Sequence, residues 1–169
     1  RYRRKALSRD ATENEIAQIL AAMRKNDEAN EIDTINRALL FAALKNAGIK
    51  SLCVQFDGCG DSGSIDGIEA VKPSSKEPCL ETCVSGGRLY KYTEYSRDKP
   101  GGTRVYGKET PTIRELIYDI CYRVLEQNHP GWEINEGSFG EFVFVTKSDS
   151  ISLTYNRRIE SCETSVEDY

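Results

Sequence analysis

Residues 52–63 read Leu52-Cys53-Val54-Gln55-Phe56-Asp57-Gly58-Cys59-Gly60-Asp61-Ser62-Gly63, and their pattern decides the fold class. Leu52, Val54 and Phe56 alternate with Cys53, Gln55 and Asp57. A period of two puts one set of side chains on one face of a strand. The glycines and aspartates that follow are turn formers, and residues 65–71 resume an extended pattern. The stretch therefore predicts a β-hairpin with a long glycine-rich loop, and hairpins impose antiparallel pairing.

Upstream the period is 3.6. Thr12-x-x-Glu15 has the form of a capping box, and Ile16, Ile19, Leu20 and Met23 make one apolar stripe. The polar run Lys25-Asn26-Asp27-Glu28 interrupts it before a second stripe, Ile32, Ile35, Leu39, Ala43 and Leu44, stops at Gly48. Residues 12–48 are expected to be a helical pair joined by a polar turn. Downstream, residues 72–87 contain Pro73, Pro78 and Gly86-Gly87 and read as a connection, after which residues 88–95 and 103–107 predict a second hairpin. Thr110-Pro111 announces a third helix carrying Ile113, Leu116, Ile117, Ile120, Val124 and Leu125, ended by His129-Pro130-Gly131. Residues 141–146 and 151–156 predict a third hairpin. The expected architecture is a single α+β domain over 1–169: an antiparallel sheet built of hairpins with three helices packed on one face. A basic arm at 1–9 and an acidic tail at 160–169 flank it.

The chain has 169 residues, 38% of them hydrophobic, a size and composition that suit one globular domain. No run approaches the ~20 apolar residues of a membrane helix, so no membrane partner is expected. The formal net charge of -4 conceals an uneven distribution. Arg1, Arg3, Arg4, Lys5 and Arg9 form one basic island; Arg88, Lys91, Arg97, Lys99, Arg104 and Lys108 form another, on an acidic body. Tyr90, Tyr92, Tyr95 and Tyr106 interleave the second island, the recipe for stacking bases between phosphate contacts, so nucleic-acid binding through 88–108 is one reading. Against it, Tyr is a common strand residue, and the acidic body repels a polyanion. Six cysteines in a chain of this length do not imply a disulfide scaffold, and a reduced, cytoplasmic setting is expected. Cys79 and Cys83 have a spacing that zinc permits, with Cys59 and His129 as remote partners, but free thiols are the simpler reading.

Two segments could carry chemistry. Asp57, Asp61, Asp66 and Glu69 place carboxylates along a glycine-rich loop, which suits a hard cation such as Mg²⁺ or Ca²⁺. The EF-hand register fails: with Asp57 first, Ser62 falls where Gly belongs and Ile68 where the bidentate Glu belongs. Tight turns use the same residues without any ligand. The second segment, 129–142, holds the only His and the only Trp. His129 near Glu133 and Glu141 could work as an acid or base, whereas the structural alternative has Trp132 anchoring a loop and His129 ending the helix. No nucleophile motif accompanies it.

Three segments together are more specific: Phe56-Asp57-Gly58-x-Gly60-Asp61-Ser62-Gly63, Gly131-Trp132-Glu133-x-Asn135-x-Gly137-x-x-Gly140-x-Phe142, and Leu153-x-Tyr155-Asn156-x-Arg158. They resemble an uncharacterised bacterial family, a domain of unknown function, over residues 50–169. The resemblance implies a bacterial or mobile-element origin and no assigned activity.

The expected function is non-catalytic binding of another macromolecule, a protein ahead of a nucleic acid, where the 57–63 and 132–140 loops converge at one end of the sheet. Asp57, Asp61, Trp132, Glu133, Asn135, Phe139, Tyr155 and Asn156 are its candidate residues, with Trp132 or Phe139 as the anchor. The rival is a divalent-metal-dependent hydrolase in which Asp57, Asp61 and Glu69, joined by Glu133 or Glu141, hold Mg²⁺ or Mn²⁺ and His129 is the base.

Overall fold

The computed structural model describes residues 13–71, 80–92, 104–106 and 110–167. The chain divides into two compact units, Arg1–Ile35 and Asn36–Tyr169. The described part of the first is a stretch of helix α1, which spans Glu13–Asn46 without a break. The expected helical pair is thus one helix, and among the described residues two helices stand where three were expected. The physical reason is that residues 13–46 contain neither Pro nor Gly. A polar run of Lys, Asn, Asp and Glu interrupts an apolar stripe but removes no backbone hydrogen bond, so nothing in it ends a helix.

The end of α1 is where the glycine placed it. Gly48 has φ +70°, its N–H bonds Lys45 O at 3.0 Å, and Ile49 N–H bonds Leu44 O at 3.0 Å. This is the Schellman pattern, and both Leu44 and Ile49 are buried beside it.

Strand β1 covers Ser51–Val71, followed by β2 (Tyr90–Tyr92), β3 (Arg104–Tyr106), helix α2 (Ile113–Asn128), β4 (Ile134–Val145) and β5 (Ser150–Arg157). β1, β4 and β5 form an antiparallel sheet in that spatial order, while β2 and β3 pair separately as a two-stranded ribbon. The hairpins therefore do not all join one sheet.

β1 doubles back on itself. A methyl group at either Gly58 or Gly63 would strike the same Trp132 ring, although a straight strand would hold those positions ~17 Å apart. Glu69 is also close enough to act electrostatically on Cys53. Extended backbone lies on both sides of the bend as expected, but the loop is much tighter than a glycine-rich run suggested. On the returning limb Ile65 is buried and Ile68 and Ala70 pack against the core. That jump from 65 to 68 breaks the alternation, as a bulge would.

The inner sheet face is built of cross-strand rows: Leu52–Phe144–Ile151, Val54–Phe142–Leu153 and Phe56–Gly140–Tyr155. Leu40, Phe41 and Leu44 of α1, and Leu116, Ile117, Ile120 and Leu125 of α2, join these rows in one hydrophobic cluster. Each fully buried Leu, Ile or Phe contributes about 1.5–3 kcal/mol. Asn36 is a fully buried polar residue; its amide donates to Arg88 O at 2.6 Å and accepts from Arg88 N–H at 2.9 Å. Both ends of the amide are satisfied, as burial requires.

Helix α2 begins two residues later than Thr110-Pro111 indicated. Thr112 is its N-cap, with Glu115 completing a capping box. Pro111 instead sits in the approach, its carbonyl accepting from Val84 N–H at 2.7 Å.

Candidate functional site

The two glycine-rich segments lie against each other as neighbouring strands. Asp57 faces Phe139, Gly58 faces Ser138, Gly60 faces Asn135 and Asp61 faces Ile134, with an irregularity between Gly58 and Gly60. β4 thus starts seven residues before the expected strand, and most of the segment read as a Trp-containing loop is strand. Positive φ at Asn135 (59°) and Gly137 (68°) kinks its first half. A side chain at Gly137 would run into the carbonyl of Gly58, so close approach demands glycine there.

Trp132 is 5% exposed and forms the inner wall of this end. It meets Phe56 edge-on at 5.8 Å and Tyr122 at 6.3 Å. Its carbonyl accepts from buried Ser138 Oγ at 2.7 Å. Trp132 holds the motif together from within, and a partner would have no access to most of its ring.

The outer face carries the row Asp57–Phe139–Asn156. Phe139 is 43% exposed. Arg158, just beyond β5, ties the row together: Nη1 donates to Gly58 O at 2.8 Å and Ser138 O at 3.3 Å, and Nη2 to Asp57 Oδ2 at 2.8 Å. Its guanidinium carbon lies 4.9 Å from the centre of the Phe139 ring. Asn156 donates to Phe139 O at 3.3 Å. The position of Arg158 at the end of the third motif was readable; its reach across three strands was not, because nothing in local spacing reports a contact 101 residues away.

Farther along the same face Glu141 accepts from the Cys53 thiol at 3.2 Å. Partial burial, then that hydrogen bond and the charges of Glu141 and Glu69, push the Cys53 thiol up to about 11.

Two cavities open near the motif. A groove of about 570 Å³ is lined by Asp61, Ser62 and Gly63 of β1, Tyr122 and Glu126 of α2, and residues 130–133. Glu133 Oε2 is buried in its wall without a hydrogen-bond partner among the described residues. Nearby on α2, burial lowers Arg123 to about 10, partly opposed by Glu126. A smaller cavity of about 230 Å³ involves His129, Asn135, Tyr155 and Arg157. His129 caps the C-terminus of α2, its N–H bonding Leu125 O at 2.8 Å.

The candidate residues consequently separate into three places. Asp57, Phe139 and Asn156 share the outer row; Asp61, Trp132 and Glu133 border the groove; Asn135 and Tyr155 border the small cavity with His129. Asp66 accepts a hydrogen bond from Ser64, and the charge of Glu69 acts on the Cys53 thiol. Among the described residues no group of three or more His, Cys, Asp or Glu is placed to hold a metal ion. The zinc candidate Cys79, the arm at 1–9 and most of the basic segment 88–108 lie outside the described residues. No helix among the described residues is long and apolar enough to cross a membrane.

Fold and site together define an α+β domain with a small antiparallel sheet, built around two paired glycine-rich segments and an internal tryptophan. The chain belongs to DUF6878, a family of unknown function, whose model matches residues 32–169. That match begins close to the start of the second compact unit at Asn36 and takes in the end of α1, which the motif resemblance alone did not reach. No curated protein and no solved structure matches the sequence.

Proposed function

We propose that this domain works without catalysis, by binding another protein through the outer end of the sheet, with Phe139 as the anchor. The observation that carries the reading is Phe139 itself, 43% exposed on a strand and flanked by a guanidinium that β1 and β4 hold in place. Aromatic and arginine side chains supply most of the energy at protein interfaces. A rigid anchor loses little conformational freedom on binding, which favours affinity. Asp57, Gln55 and Asn156 around it offer polar groups for specificity.

The hydrolase reading has less support, since its carboxylates do not gather. Asp57 is engaged by Arg158 and Asp66 by Ser64, and the charge of Glu69 is felt at Cys53. Nucleic-acid binding through 88–108 remains a separate proposal, tested by whether affinity for a single-stranded oligonucleotide falls steeply with salt.

The test is affinity for a protein that co-purifies with the chain from its source cells, measured with both components purified. Phe139→Ser should weaken binding at least tenfold, and Lys147→Gln in the β4–β5 turn should not change it. Equal affinity for Phe139→Ser and the unaltered chain would overturn the proposal. A rise in melting temperature with millimolar Mg²⁺ that Asp57→Asn removes would favour the hydrolase instead.

A further inference from the structure

The small cavity beside Tyr155 carries several hydrogen-bond donors in its wall. It measures about 230 Å³, room for roughly eight waters at ~30 Å³ apiece. Arg157, Arg158, His129 and Asn135 line it, with Glu136 as its one carboxylate and Tyr155 as its aromatic wall. The two arginines differ sharply. Arg158 is spent on Asp57 and on backbone carbonyls of Gly58, Glu136 and Ser138. The side chains of Arg157, His129 and Asn135 make no hydrogen bond or ion pair among the described residues. His129 is nevertheless fixed: its ring stacks on Tyr155 at 3.8 Å and 9°, and Tyr155 stacks in turn on Phe56 at 6.1 Å and 20°.

A guanidinium, an imidazole and an amide around one cavity, without partners among the described residues, match a small oxyanion. The guanidinium fork takes two oxygens of a carboxylate or phosphate at once. The stacked imidazole presents a ring nitrogen without further loss of freedom. We propose that this cavity binds a small oxyanion, a carboxylate or a phosphate group, with Arg157 as its principal contact and His129 and Asn135 as orienting donors.

A competing role for Arg157 needs no ligand. The last turn of α2 contains no basic residue, and a cation there would offset the negative end of the helix.

His129 is the only histidine, so its imidazole resonances in a proton NMR spectrum are unambiguous. The experiment titrates the whole chain with inorganic phosphate and, separately, with acetate, at pH 7 and constant ionic strength maintained with chloride. The proposal expects a saturable shift of the His129 resonances with at least one anion. It also expects Arg157→Gln to weaken that response at least tenfold and Lys147→Gln to leave it intact. A response to phosphate alone assigns the phosphate class, and one to acetate alone the carboxylate class. No saturable shift with either anion overturns the proposal, as does an unchanged response in Arg157→Gln. A fall in melting temperature of Arg157→Gln with no anion response in the unaltered chain also overturns it and assigns Arg157 to the helix end.

Discussion

Gly63 and Trp132 show how much of this end rests on single residues. The ring of Trp132 occupies the space that a β-carbon at Gly63 would need. Gly63→Ala must displace a ring held by Phe56 and Tyr122, and overpacking of this kind costs about 1–3 kcal/mol. Gly67, with nothing within 4 Å of an added β-carbon, should tolerate the same change. Thermal melts of the two variants side by side check the claim, with a drop of several degrees expected only for Gly63→Ala. Cys53 offers a test through pH. Its thiol titrates near 11 in place of the ordinary 9.0, so the native chain keeps a proton that the unfolded chain releases. The stabilisation is complete below about 9 and is lost as pH rises through about 11. Iodoacetamide at pH 8 should accordingly modify Cys53 about a hundredfold more slowly in the native chain than in urea, because the thiolate is scarcer by two pH units. Mass spectrometry of the Cys53 peptide reads this, and equal rates would refute it. At this scale the sequence suggested that Trp132 serves as either a loop anchor or a partner anchor. Its burial and the two glycines cut to fit it favour the first role, and composition alone could not separate them.

At the scale of elements, what could be read depended on whether the signal was local. The Gly48 stop of α1 was legible, because a positive φ after an apolar stripe has a local cause. The antiparallel pairing of β4 with β5 was legible from alternation and a four-residue polar turn. The break expected at Lys25–Glu28 was not real, since an interrupted stripe reports what a helix packs against and not whether it continues. The early half of β4 was illegible for the opposite reason: its glycines and Asn135 look like a loop, yet the Gly58–Gly60 limb pairs with them. The start of α2 was misplaced because Pro111 is compatible with a first turn, while the capping box at Thr112 and Glu115 wins by satisfying two backbone N–H groups. Thr112→Ala should lower stability by about 1 kcal/mol, and Thr110→Ala much less. Urea denaturation of both variants checks this, and an equal effect would return the cap to Thr110.

For the whole molecule, the net charge of -4 says little, because function on this reading belongs to a small surface and not to an average. The sheet has two useful sides at one end: an outer row with an exposed aromatic ring and an inner side where helix α2 ends. Paired glycine-rich strands bring both into being, since they let Trp132 fill the interior and leave Phe139, Asp57 and Asn156 outward. The convergence of the two motifs was legible in the sequence; the division of their residues between two faces was not, because it depends on strand register. The central claim is that Phe139 meets a partner. A photoreactive benzoylphenylalanine carried at position 139 and irradiated in the source cell tests this most directly. The account predicts one discrete cross-linked species from position 139 that is absent when the same group stands at position 147. No adduct from 139, or the same adducts from both positions, would contradict it.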